Sequence, residues 1–389
     1  MRIGIDARFF GGEQSKGLGR YTQKLIQHIA EDELSDYEYV IFVQQEAFDS
    51  WDIDNPRLTP VLAPYKWYTL QEQLLMPIKI WQAKVDFMHF PHFNVPLLYW
   101  KRFVVTIHDL IIILFPTERA TTLGPLLYKF KHWAGQMVMR HAVKRSSHII
   151  TVSEFSKKDI VEHYGISERK VTVTYEAADR DTIACSVDNS TSILKRREIK
   201  KPFLLYIGNA YPHKNLDILL SAVKEMKENR NGELGWQLVL VGKEDYFYSR
   251  LKQSAWAKNI DTDVIFTGFV SDEELPCLYQ EALAYIFPSR YEGFGLPPLE
   301  AMQNGTPVLA ANASCLPEIL GDAALYFDPS DISGIINSVK QIEDNPSLRE
   351  TLIKKGTNQS AKYSWQNMMK ETLEVYDAQT VTQKQKHKV

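Results

Sequence analysis

Short apolar runs alternate with longer amphipathic stretches along this chain. In the first half the runs are "RIGID" (2–6), "YVIFV" (39–43), "FMHF" (87–90), "FVVTIHD" (103–109), "HIITVS" (148–153) and "VTVTYEA" (171–177). Between them lie helix-like stretches such as "GRYTQKLIQHIAED" and "SEFSKKDIVEHYG". Ser153, followed by Ser156 and Asp159, marks a helix start, and Gly165 marks its end. Over 181–201 the pattern breaks into a polar, basic, aperiodic segment, which predicts an interdomain linker. The rhythm then resumes with "FLLYIG" (203–208), "WQLVLVG" (236–242), "VIFTGF" (265–270), "AYIFPS" (284–289), "PVLAA" (307–311) and "ALYFD" (324–328). Strands alternating with helices predict an α/β protein with parallel sheets covered on both faces. Two such arrays in tandem predict two Rossmann-like domains facing a central cleft. Open sheets of this kind bind ligands at strand carboxyl ends, so that cleft is the expected site. The expected boundaries are 1–180 for the N-terminal domain, 181–201 for the linker and 202–364 for the C-terminal domain. A helix over 365–380 is expected to cross back to the N-terminal domain, followed by a frayed basic tail over 381–389.

At 389 residues the chain is too long for one core, in keeping with two domains. Hydrophobic residues at 44% and charged residues at 24% describe an ordinary soluble globular protein. A net charge of -3 argues against a nucleic-acid partner, which would call for a basic excess. Cys185, Cys277 and Cys315 are odd in number and far apart, with no disulfide framework or zinc spacing. That pattern leads to the expectation of a reducing, cytoplasmic setting, with Cys315 as a small buried hydrophobe. The N-terminus reads as a first strand without a signal-peptide core, and no apolar run reaches the ~18 residues of a membrane span. The segment 126–145 mixes Lys129, Lys131, Arg140, Lys144 and Arg145 with Phe130, Trp133 and Met137. Such a segment suits peripheral contact with an anionic membrane surface, and equally a Rossmann helix with one solvated face.

The chemistry concentrates in "SRYEGFGLPPLEAMQNGTPV" (289–308). It reads as a strand, a loop and a helix, with Pro297 and Pro298 in the first helical turn and Gly305 at the stop. Gly293 and Gly295 let the loop backbone approach a ligand, and the helix N-terminus suits phosphate. The two prolines remove donors there, leaving the amides of Gly295, Leu296 and Leu299. A carboxylate beside phosphate makes sense only if it accepts hydrogen bonds from hydroxyls. Glu292 and Glu300, both near one ligand, therefore suggest a nucleotide sugar, with ribose on one side and hexose on the other. Lys214 has its own warrant, since it follows the strand "FLLYIG" and a turn.

"EGFGLPPLE" resembles the Glu–seven residues–Glu signature of family 4 of the retaining glycosyltransferases, which have the GT-B fold. The likeness extends through "AMQNGTPVLAANASCLPEILGDAALYFDP" and to "GLGRYTQKLIQHI" (17–29), "TIHDL" (106–110), "VSEFSKKDI" (152–160), "LYIGNAYPHKNLDILLSAV" (205–223) and "FTGFVSDEELPCLY" (266–279). Within the family, "GLGRYT", "TIHDL" and "GNAYPHKN" look most like bacterial mannosyltransferases of polysaccharide or O-antigen synthesis. The resemblance implies that Glu300 binds the ribose diol and Glu292 lies near the donor sugar. It implies that Phe294, Gly295 and Leu296 hold sugar and phosphates, and that Lys214 meets the diphosphate. The base is implied to pack near Gly268–Glu274, with Val270 among these residues. Gly17 and Gly19 would close over the donor, and His108 would hydrogen-bond the donor sugar, with Asp109 fixing its tautomer or capping the next turn. One position departs from the pattern: Asn209 stands where many relatives carry an arginine. Lys16, Arg20 and Lys243 are candidates for the missing cation. His89 and His92 in "HFPHF" lack an acidic or cysteine partner for a metal, and are expected on the cleft wall or acceptor side.

The resemblance implies a hexosyltransferase moving mannose from GDP-mannose to a glycan or lipid-linked acceptor, with retention. Lys214 and helix amides would stabilise the leaving diphosphate, so no metal or other cofactor is expected. The rival design uses Asp-x-Asp to hold a divalent ion. This chain has three such triplets, at 52–54, 179–181 and 261–263, none at the phosphate loop. The alternatives are a UDP- or ADP-sugar transferase of the same fold, a non-catalytic nucleotide-sugar-binding protein, or an epimerase of similar fold. A dehydrogenase is disfavoured because no G-x-G-x-x-G follows the first strand.

Overall fold

The computed structural model describes residues 1–11, 17–32, 35–116, 125–179 and 185–386, with backbone alone for 125–128 and 380–386. The chain divides into two compact units, Met1–Glu176 with Ser364–Val389, and Ala177–Tyr363. Each is built on one parallel sheet.

The first unit holds β1 (Arg2–Asp6), β2 (Glu38–Val43), β3 (Leu58–Leu62), β4 (Phe87–Phe90), β5 (Phe103–Thr106), β6 (His148–Thr151) and β7 (Val171–Val173). Their spatial order is β3-β2-β1-β4-β5-β6-β7. The second holds β8 (Phe203–Ile207), β9 (Gln237–Val241), β10 (Val264–Gly268), β11 (Ala284–Phe287), β12 (Val308–Ala311) and β13 (Ala324–Phe327), in the order β10-β9-β8-β11-β12-β13. In both sheets the order reverses beside the first strand, between β1 and β4 and between β8 and β11. At such a switch point neighbouring loops diverge and leave a crevice outside the strand carboxyl ends. The inner strands are buried because helices cover both faces: every residue of β4, β5, β8, β11 and β12 is buried.

The sequence pattern misses β3, where Pro60 interrupts the run. As an edge strand, β3 needs no amide at every position on its outer side, so proline is tolerated. The expected strand at 171–177 pairs only over Val171–Val173. The helix after β6 starts and stops as its signals indicate: Ser153 Oγ accepts from the Ser156 amide at 3.1 Å, and Gly165 ends it in the left-handed conformation.

Two expectations need correction. The segment 181–201 is not a featureless linker, since it contains the helix Val187–Arg196, capped by Ser186 through the Asn189 amide. Its buried face is Ser190, Ile193 and Leu194, and the serine hides the helical period from a hydrophobicity reading. Arg197 donates to Glu274 at 2.6 Å and Arg196 pairs with the same carboxylate, anchoring this helix to the second unit. The cysteines are the second correction. Cys185 and Cys277 are disulfide-bonded with Cα atoms 5.1 Å apart, because this helix packs beside Leu275–Glu281 although 92 residues separate the two. Cys315 is free and buried, as expected.

The C-terminal helix, Trp365–Lys386, belongs to the first unit. Tyr376 is fully buried there, Arg102 donates to Gln379 at 2.9 Å, and Tyr37 bonds Asp377. The helical backbone runs through residues 381–386, which the sequence reading assigned to a frayed tail; 387–389 lie outside the described residues.

Candidate functional site

In the second unit the candidate residues gather at the β8–β11 switch point. β8 leads into Gly208, Asn209 and a single helical turn, Pro212–Lys214; β11 leads into the loop 288–295 and the helix Leu296–Gln303. Asn215 ties the two together, its side-chain amide donating to the carbonyls of Pro288 at 3.1 Å and Pro329 at 2.7 Å. The Arg290 amide closes the contact by donating to the His213 carbonyl at 2.8 Å.

This framework brings Lys214 and Glu292 together. Lys214 Nζ lies 2.6 Å from Glu292 Oε1, and the same oxygen accepts from Ser289 Oγ at 2.5 Å. The ammonium also stands 5.3 Å from the centre of the Phe287 ring. Glu292 is only 7% exposed, and Lys214 and Ser289 both donate to its Oε1. His213, beside them, is pushed down to about 4 by burial and by the Lys214 charge, and is neutral at physiological pH.

Gly295 caps the following helix at a φ of 94°, a conformation that favours glycine, and an added Cβ would sit 3.0 Å from Leu316. Phe294 is buried and packs edge-on against Tyr363. Leu296 opens the helix. Pro297 and Pro298 contribute no amides, so Leu296 and Leu299 supply the forward-facing N–H groups. Glu300 stands one turn in, where Tyr279 Oη donates to its Oε2 at 3.0 Å. Tyr279 comes from the helix Leu275–Glu281 and is 2% exposed, so it fixes the carboxylate from behind. Val270 is buried just beyond β10. Asn209 is exposed, and its Oδ1 accepts from the Tyr211 amide at 3.3 Å, within its own loop. Lys243 is exposed after β9, and Lys16 lies outside the described residues. Of the Asp-x-Asp triplets, Asp263 is held by Lys227 at 2.7 Å, and most of 179–181 lies outside the described residues.

In the first unit His108 follows β5. Its Nε2 lies 3.0 Å from the Pro91 carbonyl, and its Nδ1 lies 3.0 Å from Glu176 Oε1. A carbonyl and a carboxylate both accept, so these two contacts favour the doubly protonated ring. Burial opposes that charge most strongly, but the hydrogen bond and charge of Glu176 outweigh it and the pKa is raised. Asp109 takes the other role the sequence left open: its Oδ1 accepts from the Ile111 amide at 2.8 Å and caps the next turn. Below the ring, Tyr21 packs edge-on at 4.7 Å and shares Thr106 Oγ1 with His89 Nε2. His89 Nδ1 in turn meets Tyr376 Oη at 2.6 Å, and burial pushes His89 down to about 3. His89 is thus a neutral core residue linking the C-terminal helix to the sheet. His92, also pushed down to about 3 by burial, packs in an aromatic group with Phe9, Tyr68 and Phe93. Gly17 starts the helix Leu18–Glu31 at a φ of 63°, and Gly19 is buried in its first turn.

The sequence reading passed over Glu176, Tyr279 and Ser289. It also passed over Arg8, which is buried at the β1 end between Asp6 and Glu72, each 2.6 Å away. The usable signal for Arg8 and Glu176 was a charge directly closing an apolar strand run. Tyr279 gave none, since a tyrosine on an apolar helix reads as core.

Comparison with known proteins bears on the family and the fold. The profile described as "Glycosyltransferase Family 4" matches residues 15–182, and "Glycosyl transferases group 1" matches 191–359. The chain is 29% identical to O-antigen chain mannosyltransferase B of Escherichia coli, over 92% of this chain and 95% of that protein. It is 26% identical to the O-antigen chain mannosyltransferase RfbU of Salmonella typhimurium, over 92% and 94%. Among solved structures, sucrose-phosphate synthase from Thermosynechococcus elongatus superposes with a TM-score of 0.73 at 19% identity, covering 98% of this chain and 99% of that one. Anabaena HepE in complex with UDP and glucose gives 0.74 at 15% identity, covering 97% and 100%. The fold is therefore GT-B, and the chain belongs to the group 1, family 4 glycosyltransferases.

Proposed function

We propose that this glycosyltransferase moves mannose from GDP-mannose to a glycan acceptor carried on a lipid, with retention and without a metal ion. Mannose rests on the relatives, two of which are named as O-antigen chain mannosyltransferases, and GDP on the family resemblance of the sequence. The observation that carries the donor site is the pairing of Lys214 with Glu292 on the loop that leads into the helix Leu296–Gln303, which carries Glu300. This arrangement offers one cation and helix amides to a diphosphate, and carboxylates on either side to hydroxyls. Asn209 can donate a hydrogen bond but cannot neutralise charge, which leaves Lys214 as the principal cation for the leaving group. In the proposed step the acceptor oxygen attacks the anomeric carbon from the face the diphosphate leaves. The anomeric C–O bond to phosphate breaks as the new C–O bond forms, and the departing phosphate oxygen takes the acceptor proton. Lys214 and the helix amides stabilise the charge that develops on the diphosphate. The His108 imidazolium donates toward the sugar after exchanging one of its present partners. A lipid-carried acceptor puts the enzyme at the inner face of the cell membrane.

The test offers GDP-mannose, UDP-glucose and ADP-glucose, each with and without EDTA, with a mannose-terminated oligosaccharide as acceptor. The reading expects α-linked mannose in the product from GDP-mannose alone, unaffected by EDTA. Transfer from a UDP- or ADP-sugar instead would overturn the donor, and loss of activity in EDTA would overturn the metal-free mechanism.

A further inference from the structure

We propose that the outer face of the helix Leu70–Gln82, with the adjoining 97–101 loop, docks the protein on an anionic phospholipid surface. The helix buries Glu72, Met76 and Ile80 against the first unit. A surface helix that buries one side normally presents polar residues on the other. Here the opposite side presents Leu70, Leu74, Ile78 and Trp81, exposed at 81%, 56%, 51% and 69%. Their spacing of four, four and three residues places them in one stripe. The stripe extends sideways, because Gln73 Oε1 accepts from the Leu97 amide at 2.8 Å and so holds the next loop against the helix. That loop exposes Leu98 and Trp100.

Charge selects the occupant. Residues 66–86 and 95–102 together carry Lys66, Lys79, Lys84, Lys101 and Arg102, against two carboxylates, Glu72 and the exposed Asp86, which accepts from the Arg2 amide. Glu72 is fully buried and held by Arg8 and Asn94, so it contributes nothing at the surface. Arg145 adds a further cation, 5.3 Å over the Trp100 ring. An apolar stripe on a segment with this excess of cations, in a chain whose net charge is -3, matches an anionic bilayer interface. Leucine and isoleucine enter the acyl boundary, tryptophans sit at headgroup level, and lysines reach the phosphates. A second copy would set the same cations against each other. Among the described residues no helix is long and apolar enough to span a membrane, so contact through this face is peripheral. This surface lies outside the 126–145 segment that the sequence singled out. The inference rests on the reading above only in giving a lipid-carried acceptor a place to be met.

The experiment is vesicle co-sedimentation of the full chain. Mixed phosphatidylcholine–phosphatidylglycerol vesicles should bind it, phosphatidylcholine alone should bind it weakly, and salt should weaken the contact. Leu74→Ser combined with Ile78→Ser and Trp81→Ser should reduce binding by about tenfold or more. Because these side chains are exposed, the variant should keep the wild-type Tm and the wild-type stabilisation by GDP. Absent wild-type binding, or undiminished binding in the triple variant, would overturn the docking face. A dimer in analytical ultracentrifugation that the triple variant dissolves would assign the face to a second copy and equally overturn the proposal. Failure of GDP to stabilise the wild type would instead count against the donor reading and leave the vesicle result standing.

Discussion

At His108 the charge is set by a residue 68 positions away. Glu176 holds Nδ1 and the Pro91 carbonyl holds Nε2, so the proton on each nitrogen has an acceptor. Because the folded pKa is raised above the ordinary value near 6.5, the pair's contribution to stability is complete below that value. It is lost as pH rises through the folded pKa. Glu176→Gln should therefore destabilise most on the acid side, with the gap to wild type narrowing as pH increases; melts across a pH series measure this. The alkaline limb of the pH–rate profile should also move to lower pH in the variant, and an unmoved limb would leave Glu176 with no part in holding the charge. Tyr279 makes a comparable case in the second unit. Tyr279→Phe removes one hydrogen bond to the Glu300 carboxylate, worth about 1.5 kcal/mol, so donor KM should rise about tenfold with kcat little changed. An equal fall in kcat without a KM change would contradict a ribose-side role. Neither partner was legible in the sequence, since each meets its target only after distant segments converge. His108, Lys214, Glu292 and Glu300 could be picked out because each stands beside glycine, proline or a strand end.

Among the elements, short apolar runs set between amphipathic stretches were enough to find the buried central strands and most helices. It failed where burial is one-sided or mixed. β3 carries Pro60 and lies on a sheet edge, and the helix Val187–Arg196 buries a serine. The close approach of the β8 and β9 ends was equally hidden. A Cβ on Gly242 would lie 2.3 Å from the Gly208 carbonyl oxygen and 2.4 Å from Tyr248 Oη. Tyr248 Oη donates toward the carbonyls of Gly208 and Val241 in that crevice. Gly242→Ala must push two backbones apart and should cost about 3 kcal/mol, read as a lower denaturation midpoint at unchanged m-value. The same displacement would move the Gly208–Lys214 segment, so donor affinity should fall with stability. A variant as stable as wild type would show that this packing is not required.

For the molecule as a whole, two parallel sheets of like topology each carry candidate residues at strand carboxyl ends. The second unit pairs Lys214 with Glu292 ahead of the helix Leu296–Gln303, and the first pairs His108 with Glu176. The fold class followed from strand–helix alternation, and the family from "EGFGLPPLE". The Cys185–Cys277 bond did not follow, because spacing carries no record of which helices pack together. The account stands or falls on a guanine nucleotide sugar held by the second unit. The direct measurement is thermal melting of wild type and Lys214→Ala with GDP, UDP and ADP, each with and without EDTA. A ligand at about a hundred times its Kd adds roughly 2.7 kcal/mol to native stability, a visible shift. The account predicts a shift with GDP alone, unchanged by EDTA and largely lost in Lys214→Ala. A shift confined to UDP or ADP, or one that Lys214→Ala leaves intact, would contradict it.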